Sequence, residues 1–193
     1  MCCQNTKDFC VGAGETFQPV LRWGSGVLIS KPITGISQAA PVVVTAVGHA
    51  VPDGWQVAVV STKGMTQINA ANFPPSGRDL QKATVLTVDT VQLNSVNSAD
   101  YSAYTSGGFL VYNTPVVLTG MTARMIIRDA PLTGAILHTL TELAGITLNN
   151  TAKTITPLLA TATLTWVTGY YDLELTDTSG KVTQLLTGTI SIT

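Results

Sequence analysis

The chain alternates apolar and other residues along short extended segments, and the first is TFQPVLRWGSG at residues 16–26. Successive side chains of an extended chain point to opposite sides, so Phe17, Leu21 and Trp23 share one side. The residues that directly follow this segment offer no partner for the two aromatic rings. Left uncovered, those rings would expose roughly 300 Å² of apolar surface at a cost of several kcal/mol. Their partner is therefore expected elsewhere in the chain.

Residues 33–112 contain extended segments separated by turn residues, with turn signals about every 8–12 residues. The apolar segments are PVVVTAV (41–47), WQVAVV (55–60), TVLTVDTVQLN (84–94) and FLVY (109–112). The proline-containing stretch QINAANFPPSGRD (67–79) predicts a loop. This pattern is typical of a small β-barrel or β-sandwich.

Longer alternation follows Asn113. In GMTARMIIRD (120–129) Met125 and its alternate neighbours face one side, and in YYDLELTD (170–177) Tyr171, Leu173 and Leu175 do so. LLATATLTW (158–166) fits a short helix or a strand, and we favour the helix. These segments predict a β-sandwich built mostly from hairpins.

The composition indicates a surface that is poor in charge. Of the 193 residues 45% are hydrophobic, only 11% are charged and thirty are Thr, whereas about a quarter of residues are charged in ordinary soluble proteins. One interpretation is that neighbouring subunits cover much of the surface, and the plain alternative is a Thr-rich sandwich. The net charge of −1 and the scattered basic residues argue against a nucleic-acid partner.

Targeting and redox signals are weak. The longest apolar run, AAPVVV, is far shorter than the roughly 20 residues of a membrane span, and MCCQNTKDFC lacks the apolar region of a secretory signal. We therefore predict no membrane insertion. Cys2, Cys3 and Cys10 match neither a disulfide framework nor a zinc spacing, which favours free thiols in a reducing cytosol.

Catalytic patterns are also weak. The two histidines, His49 and His138, fit a turn and a strand face, and no HExxH, CxxC, GxSxG or GxGxxG motif occurs. Asp172 and Glu174 would lie about 7 Å apart on one strand face, a separation compatible with glycoside hydrolysis, but an outward polar face is the favoured interpretation. We predict no catalytic residue, no metal site, no cofactor and no enzyme activity.

Aromatic side chains suggest sugar binding as an alternative, because aromatic faces suit pyranose rings. The candidates are Trp55, Tyr101, Tyr104 and Tyr112. Tyr101 and Tyr104, which lie in a Ser-rich loop, are the best candidates for glycan contact.

Two family resemblances add to this interpretation. Residues 33–108, with ITGISQAAPVVVTAVGHAVPDGWQVAV, GMTQIN and YSAYTSGG, resemble the small FCCH-type β-domain of ubiquitin-activating enzymes, which recurs in bacteriophage tail and fibre proteins. AANFPPSGRDLQKA (70–83) departs from that pattern. GETFQPVLRW (14–23) and residues 116–193, with VVLTGMTARMIIRD, GITLN and YYDLELTDTSGKVTQLLTGTISI, are similar to the N-terminal domain of phage baseplate upper proteins.

The second resemblance implies an inserted domain, because in that family the two segments follow each other directly. Insertion near Gly24-Ser25-Gly26 would let Phe17 and Trp23 pack with Met121, Met125 and Leu173. The predicted fold is all-β, an immunoglobulin-like β-sandwich with an inserted small β-barrel or sandwich. The predicted boundaries are a flexible N-terminal arm at 1–13, a discontinuous sandwich at 14–30 and 113–193, and an insert at 31–112. Tandem domains with an N-terminal segment paired to another subunit remain open.

The resemblances imply a structural virion protein of a bacteriophage tail, located in the virion and, during assembly, in the host cytoplasm. It would link tail fibres or receptor-binding proteins to the tail or baseplate. Its expected partners are further copies in a symmetric assembly and other tail, baseplate or fibre proteins. The alternative function is a glycan-binding receptor-recognition module of the tail.

Overall fold

The computed structural model describes residues 5–131 and 133–193 and is almost entirely β-structure, as the sequence predicts. Three single-turn 3₁₀ helices lie at Thr66–Ile68, Gly77–Asp79 and Thr161–Thr163. The sixteen strands of the described residues are β1 (Phe9–Val11), β2 (Thr16–Phe17), β3 (Gly24–Pro32), β4 (Gly35–Ile36), β5 (Val42–Thr45), β6 (Gln56–Lys63), β7 (Gln81–Val85), β8 (Thr90–Leu93), β9 (Ser106–Pro115), β10 (Thr122–Arg128), β11 (Ile136–Thr141), β12 (Ile146–Asn149), β13 (Thr154–Pro157), β14 (Leu159–Ala160), β15 (Thr168–Thr176) and β16 (Val182–Ile192).

The chain divides into two compact units, one formed by residues 1–23 and 117–193 and the other by residues 24–116. These boundaries differ from the predicted 14–30, 31–112 and 113–193. The reason is β3, which starts at Gly24 and pairs with β9 as far as Pro115, so that residues 24–30 and 113–115 belong to the second unit's sheet. Cys2 and Cys3 lie outside the described residues, and Cys10 is a free, exposed thiol.

The discontinuous unit is a sandwich with a five-stranded sheet in the order β1-β16-β15-β10-β11. β1 runs parallel to β16 and the other neighbours are antiparallel. Two two-stranded sheets accompany the five-stranded sheet, in which β12 pairs with β13 and β14 pairs with β2, and an isolated bridge joins Leu21 to Ile155. Only Leu158 separates β13 from β14, and residues 16–21 pair with both through β2 and the Leu21–Ile155 bridge. Mostly antiparallel pairing of this kind is typical of immunoglobulin-like sandwiches.

The sandwich core follows the predicted alternation. The side chains at alternate positions of β10 and β15 are buried: Ala123, Met125, Ile127, Tyr171, Leu173 and Leu175. Phe17 is also buried, and its ring contacts the Phe9 ring edge to face at 5.1 Å between centroids. Trp23 is half-buried and lines a cavity of about 200 Å³ with Met121 and Leu175. The aromatic partner of Phe17 thus comes from a segment that the sequence patterns did not include in the core.

That segment corrects the prediction of a flexible arm at residues 1–13, as far as the structure describes it. Phe9–Val11 forms β1 against β16. The Asp8 carboxylate accepts hydrogen bonds from the Thr189 amide and hydroxyl, each at 2.8 Å, and the Tyr171 hydroxyl donates to the Lys7 carbonyl at 2.6 Å. A three-residue strand held by backbone pairing needs no hydrophobic periodicity, so the sequence pattern does not reveal it.

The helix predicted at residues 158–166 is wrong. Leu159–Ala160 is strand β14, and only Thr161–Thr163 makes one 3₁₀ turn. The buried Thr161 hydroxyl donates to the Gly12 and Glu15 carbonyl oxygens at 3.2 and 2.6 Å. Pairing with the N-terminal segment and β-branched threonines, which favour extended backbone, override the weak helical periodicity.

The second unit is a closed barrel. Its sheet order is β3-β9-β6-β7-β8-β5-β4, and the first and last strands are consecutive in the chain, separated only by Ile33 and Thr34. One bent segment therefore pairs with β9 at its start and with β5 at its end, which closes the sheet. The buried interior consists of Ile33, Val42, Val44, Ala46, Val51, Trp55, Val57, Val59, Ala83, Val91, Leu93, Leu110 and Tyr112.

Candidate functional site

A groove of about 490 Å³ opens on the barrel surface where β3, β6 and β9 meet the loop after Asn69. It is lined by Ser30, Val60, Ser61, Ala70, Ala71, Asn72, Phe73 and Phe109, and we refer to it as the Phe73–Phe109 groove. Phe73 is 71% exposed and Phe109 is 43% exposed. Two accessible benzene rings in one concavity make this groove the strongest candidate for a binding site.

An irregular backbone conformation shapes the strand side of the groove, because Ser61 and Gly108 both have positive φ angles. Val60 pairs with Phe109 and Thr62 pairs with Gly107, so Ser61 and Gly108 lie opposite each other in an unshifted register. The φ of Ser61 is 60° and lies in the left-handed region, which is uncommon for a residue with a Cβ atom. Gly108 has a φ of 86°, and a Cβ there would lie 2.5 Å from Cγ2 of Thr62. The positive φ and this close approach therefore require glycine at position 108, next to Phe109.

The loop that carries Phe73 is braced by one carboxylate. Asp79 accepts hydrogen bonds from the Asn72 side-chain amide and the Ala71 backbone amide, both at 2.9 Å, and from the Ser76 backbone amide at 3.3 Å. These bonds, with that from the Asn72 side chain contributing most, lower the pKa of Asp79 below its ordinary value. The Ala70 amide donates to the Val59 carbonyl at 2.7 Å and ties the loop to the barrel.

The groove has the chemistry of a binding site. Its lining contains two aromatic rings, the hydroxyls of Ser30 and Ser61 and the amide of Asn72, and none of its lining residues carries a charge. Among the described residues no group of three or more His, Cys, Asp or Glu is placed to hold a metal ion. The groove can therefore stack on a ligand and form hydrogen bonds with it.

The two predicted glycan-contact residues lie outside this groove. The Tyr104 hydroxyl donates to the Ile33 and Gly107 carbonyl oxygens, both at 2.9 Å, and its ring packs against the barrel core. Tyr101 is half-buried and lines a different cavity, of about 170 Å³, which Tyr104 does not line. Glycan contact by these two tyrosines stays a prediction.

Two further aromatic candidates prove to be core residues. Trp55 and Tyr112 are buried inside the barrel. Trp55 donates from Nε1 to the Asn113 carbonyl at 3.0 Å, and the Tyr112 hydroxyl donates to the His49 carbonyl. These two rings are therefore excluded as candidates for sugar binding. Sequence alone does not distinguish the inner from the outer face of a barrel strand.

The two histidines occupy structural positions. His49 is buried, and its Nδ1 accepts a hydrogen bond from the Val51 amide at 3.0 Å. Its Nε2 then carries the proton and donates to the Thr87 carbonyl at 3.0 Å. His138 is half-buried in β11, opposite Ile127 of β10.

The carboxylate pair of β15 is divided between two environments. Glu174 forms an ion pair with Arg124 at 2.7 Å. Burial, followed by the nearby charge of Glu174, raises the pKa of Asp172. Arg124 lies on β10, which pairs directly with β15, the strand of Asp172 and Glu174. The three side chains therefore form a charged cluster across the two strands.

Neither the protein-family models nor the curated proteins contain a match for the chain. The resemblances to phage baseplate and FCCH-type domains therefore stay predictions. In the part of the chain that the structure describes, no helix has the length and apolarity needed to cross a membrane.

Sequence reasoning missed Phe73 and Phe109 as functional candidates. Phe73 lies in AANFPPSGRDLQKA, the segment that departs from the FCCH pattern. A phenylalanine next to two prolines in an otherwise polar loop was the available signal, since no strand alternation accounts for it.

Proposed function

We propose that the chain is a structural virion protein of a bacteriophage tail. It acts as an adaptor or attachment part that links fibres or receptor-binding proteins to the tail or baseplate. The sequence resemblances motivate this proposal. The observation that carries it is the apolar surface that the fold leaves open, because such surface in a charge-poor protein favours burial against other subunits.

The open apolar surface occurs on both units. In the described residues, fourteen large hydrophobic side chains are more than a third exposed: Val20, Val27, Val47, Phe73, Leu86, Val88, Phe109, Val117, Ile136, Leu143, Leu158, Val167, Tyr170 and Val182. Single exposed apolar residues are normal on any protein. Here they accompany a charged fraction of only 11%, so few charges are available to keep copies apart.

One end of the barrel gathers three of these residues. The loops that follow β5 and precede β8 are joined by bonds from the Ala46 amide to the Asp89 carbonyl and from the Gly48 amide to Oδ1 of Asp89, both at 2.8 Å. These loops carry Val47, Leu86 and Val88, which are all exposed. An apolar loop tip of this kind suits insertion between neighbouring subunits.

The sandwich offers two further contact elements. Leu143, between β11 and β12, is 92% exposed. β11 is the last strand of the five-stranded sheet, so its outer edge is available for pairing with a strand of a neighbour. Adaptor function requires contacts to more than one kind of neighbour, and apolar surface on both units is compatible with that.

Light scattering tests assembly on the full chain. We expect a closed oligomer whose mass holds over a roughly hundredfold range of protein concentration. Leu143→Asp and Val88→Asp should shift the protein toward smaller species. Thr119→Asp adds the same charge at an exposed polar position of the sandwich and should leave the mass unchanged.

The tail assignment needs a second measurement. Particles from a culture that produces the chain are purified, and mass spectrometry and cryo-electron microscopy then locate the chain in the tail. A chain that stays monomeric at every concentration and is absent from the particles would rule out the adaptor role.

A further inference from the structure

We propose that the Phe73–Phe109 groove binds a neutral saccharide of one or two sugar rings. This site differs from the Tyr101 and Tyr104 positions that the sequence suggested. The proposal goes beyond the structural role in a tail and does not depend on it.

The first argument is the chemistry of the lining. A pyranose ring presents a face of C–H groups and a rim of hydroxyls, so it needs an aromatic face together with uncharged donors and acceptors. Phe73 and Phe109 supply two exposed rings, and Ser30, Ser61 and Asn72 supply hydroxyl and amide groups. The lining has no cationic residue to neutralise an acidic sugar, which favours a neutral one.

The second argument is size. Sites for small ligands have volumes of about 300–1,000 Å³, and this groove has about 490 Å³. The groove therefore accommodates a small saccharide and leaves the rest of a longer glycan in solvent.

The third argument is preorganisation. Phe73 remains 71% exposed although its loop is held by the three hydrogen bonds to Asp79 and by the Ala70–Val59 bond. Opposite the loop, Ser61 is held in a left-handed conformation beside Phe109. Rigid presentation of exposed aromatic rings lowers the ordering cost of binding, and unusual backbone conformations cluster at ligand sites.

The test uses the full chain and four neutral disaccharides: cellobiose, maltose, lactose and chitobiose. Saturation-transfer NMR detects binding and calorimetry measures the affinity, with a heparin-derived disaccharide as the anionic comparison. We expect saturable binding of at least one neutral disaccharide and weaker or no binding of the anionic one.

Matched variants place the ligand. Phe73→Ala and Phe109→Ala should each weaken binding by about tenfold, because each removes one stacking ring. Phe73→Tyr and Phe109→Tyr keep an aromatic face and should retain binding. Val88→Ala shortens an exposed apolar side chain of the same barrel outside the groove and should leave the affinity unchanged.

Any one of the following results would overturn the proposal. They are the absence of binding for all four neutral disaccharides, unchanged affinity in both Phe→Ala variants while the thermal midpoint is preserved, and preference for the anionic disaccharide. Loss of binding in Tyr101→Ala or Tyr104→Ala, with both phenylalanine variants unaffected, would also overturn it and would assign the sugar to the tyrosine loop. Light scattering on each variant distinguishes a change in assembly from a loss of sugar binding.

Discussion

Replacing Phe17 with alanine tests the discontinuous organisation of the sandwich. Phe17 is 3% exposed and lies on the two-residue strand β2, which pairs with Leu159 and Ala160 far along the chain. Removing a buried phenylalanine ring costs about 3–5 kcal/mol. The edge-to-face contact with Phe9 accounts for about 0.5–1.5 kcal/mol of this cost. We therefore expect the sandwich to lose roughly 4 kcal/mol of its free energy of unfolding.

Native-state hydrogen exchange followed by NMR measures this loss separately for each unit. The buried amides of Met125, Leu173 and Ile190 report on the sandwich, and those of Val57 and Leu110 report on the barrel. A loss of roughly 4 kcal/mol accelerates exchange through sandwich unfolding by about a thousandfold. Barrel amides should exchange at nearly the wild-type rate, because Phe17 belongs to the other unit.

The control is Val20→Ala in the same N-terminal segment. Val20 is 57% exposed, so its truncation should change stability by no more than about 0.5 kcal/mol. Equal acceleration of barrel and sandwich amides in Phe17→Ala would refute the division of the chain at Trp23. An effect that depends on protein concentration would indicate instead that the N-terminal segment pairs with another subunit.

Three further predictions concern single contacts. Tyr112→Phe leaves the buried His49 carbonyl without its hydroxyl donor and should destabilise the barrel by about 1–2 kcal/mol. Hydrogen exchange of barrel amides measures this loss, and unchanged exchange rates would contradict the prediction. The hydrogen bonds that lower the pKa of Asp79 stabilise its loop. This stabilisation is complete at pH values above the ordinary pKa of 3.8, and it is lost as the pH falls through the lower pKa of the folded protein. The NMR chemical shift of the Ala71 amide should change over this pH range, because that amide donates to Asp79. Asp79→Asn should abolish the change. A change that persists in Asp79→Asn would come from another titrating group. Glu174→Gln should cost less than about 1 kcal/mol in urea unfolding, because Arg124 is largely exposed, and a loss several times larger would reveal a buried network.

The sequence predicted the parts of the fold that hydrophobic periodicity encodes. The alternation around Met125 and Leu173 predicted β10 and β15 with the correct buried faces, since a one-residue shift would expose the whole set. Strand β1 is different because it is three residues long and is fixed by parallel pairing to β16. Backbone hydrogen bonds of this kind leave no mark on the order of apolar and polar residues.

The candidate site was harder to predict because it forms between distant segments. Phe73 comes from a loop and Phe109 from a strand, and the Asp79 brace brings the loop into position. Alternation in FLVY shows that Phe109 and Leu110 face opposite sides without showing which of them is inside. Closure of the barrel decides which of the two side chains is inside. Closure depends on the bend at Ile33 and Thr34, whose backbone amides donate to the Gly108 and Thr45 carbonyls. Local sequence patterns do not predict these two hydrogen bonds.

The assembly and saccharide proposals rest on overlapping apolar surface, and this overlap leads to a last prediction. A ring of Phe73 that is buried under a neighbouring subunit is closed to a sugar in the oligomer. If Val88 and Leu143 carry the subunit contacts, Val88→Asp should reduce the oligomeric mass and leave disaccharide affinity unchanged. Phe73→Ala should weaken disaccharide binding and leave the oligomeric mass unchanged. A folded Phe73→Ala variant that loses both properties would show instead that the groove lies at a subunit interface.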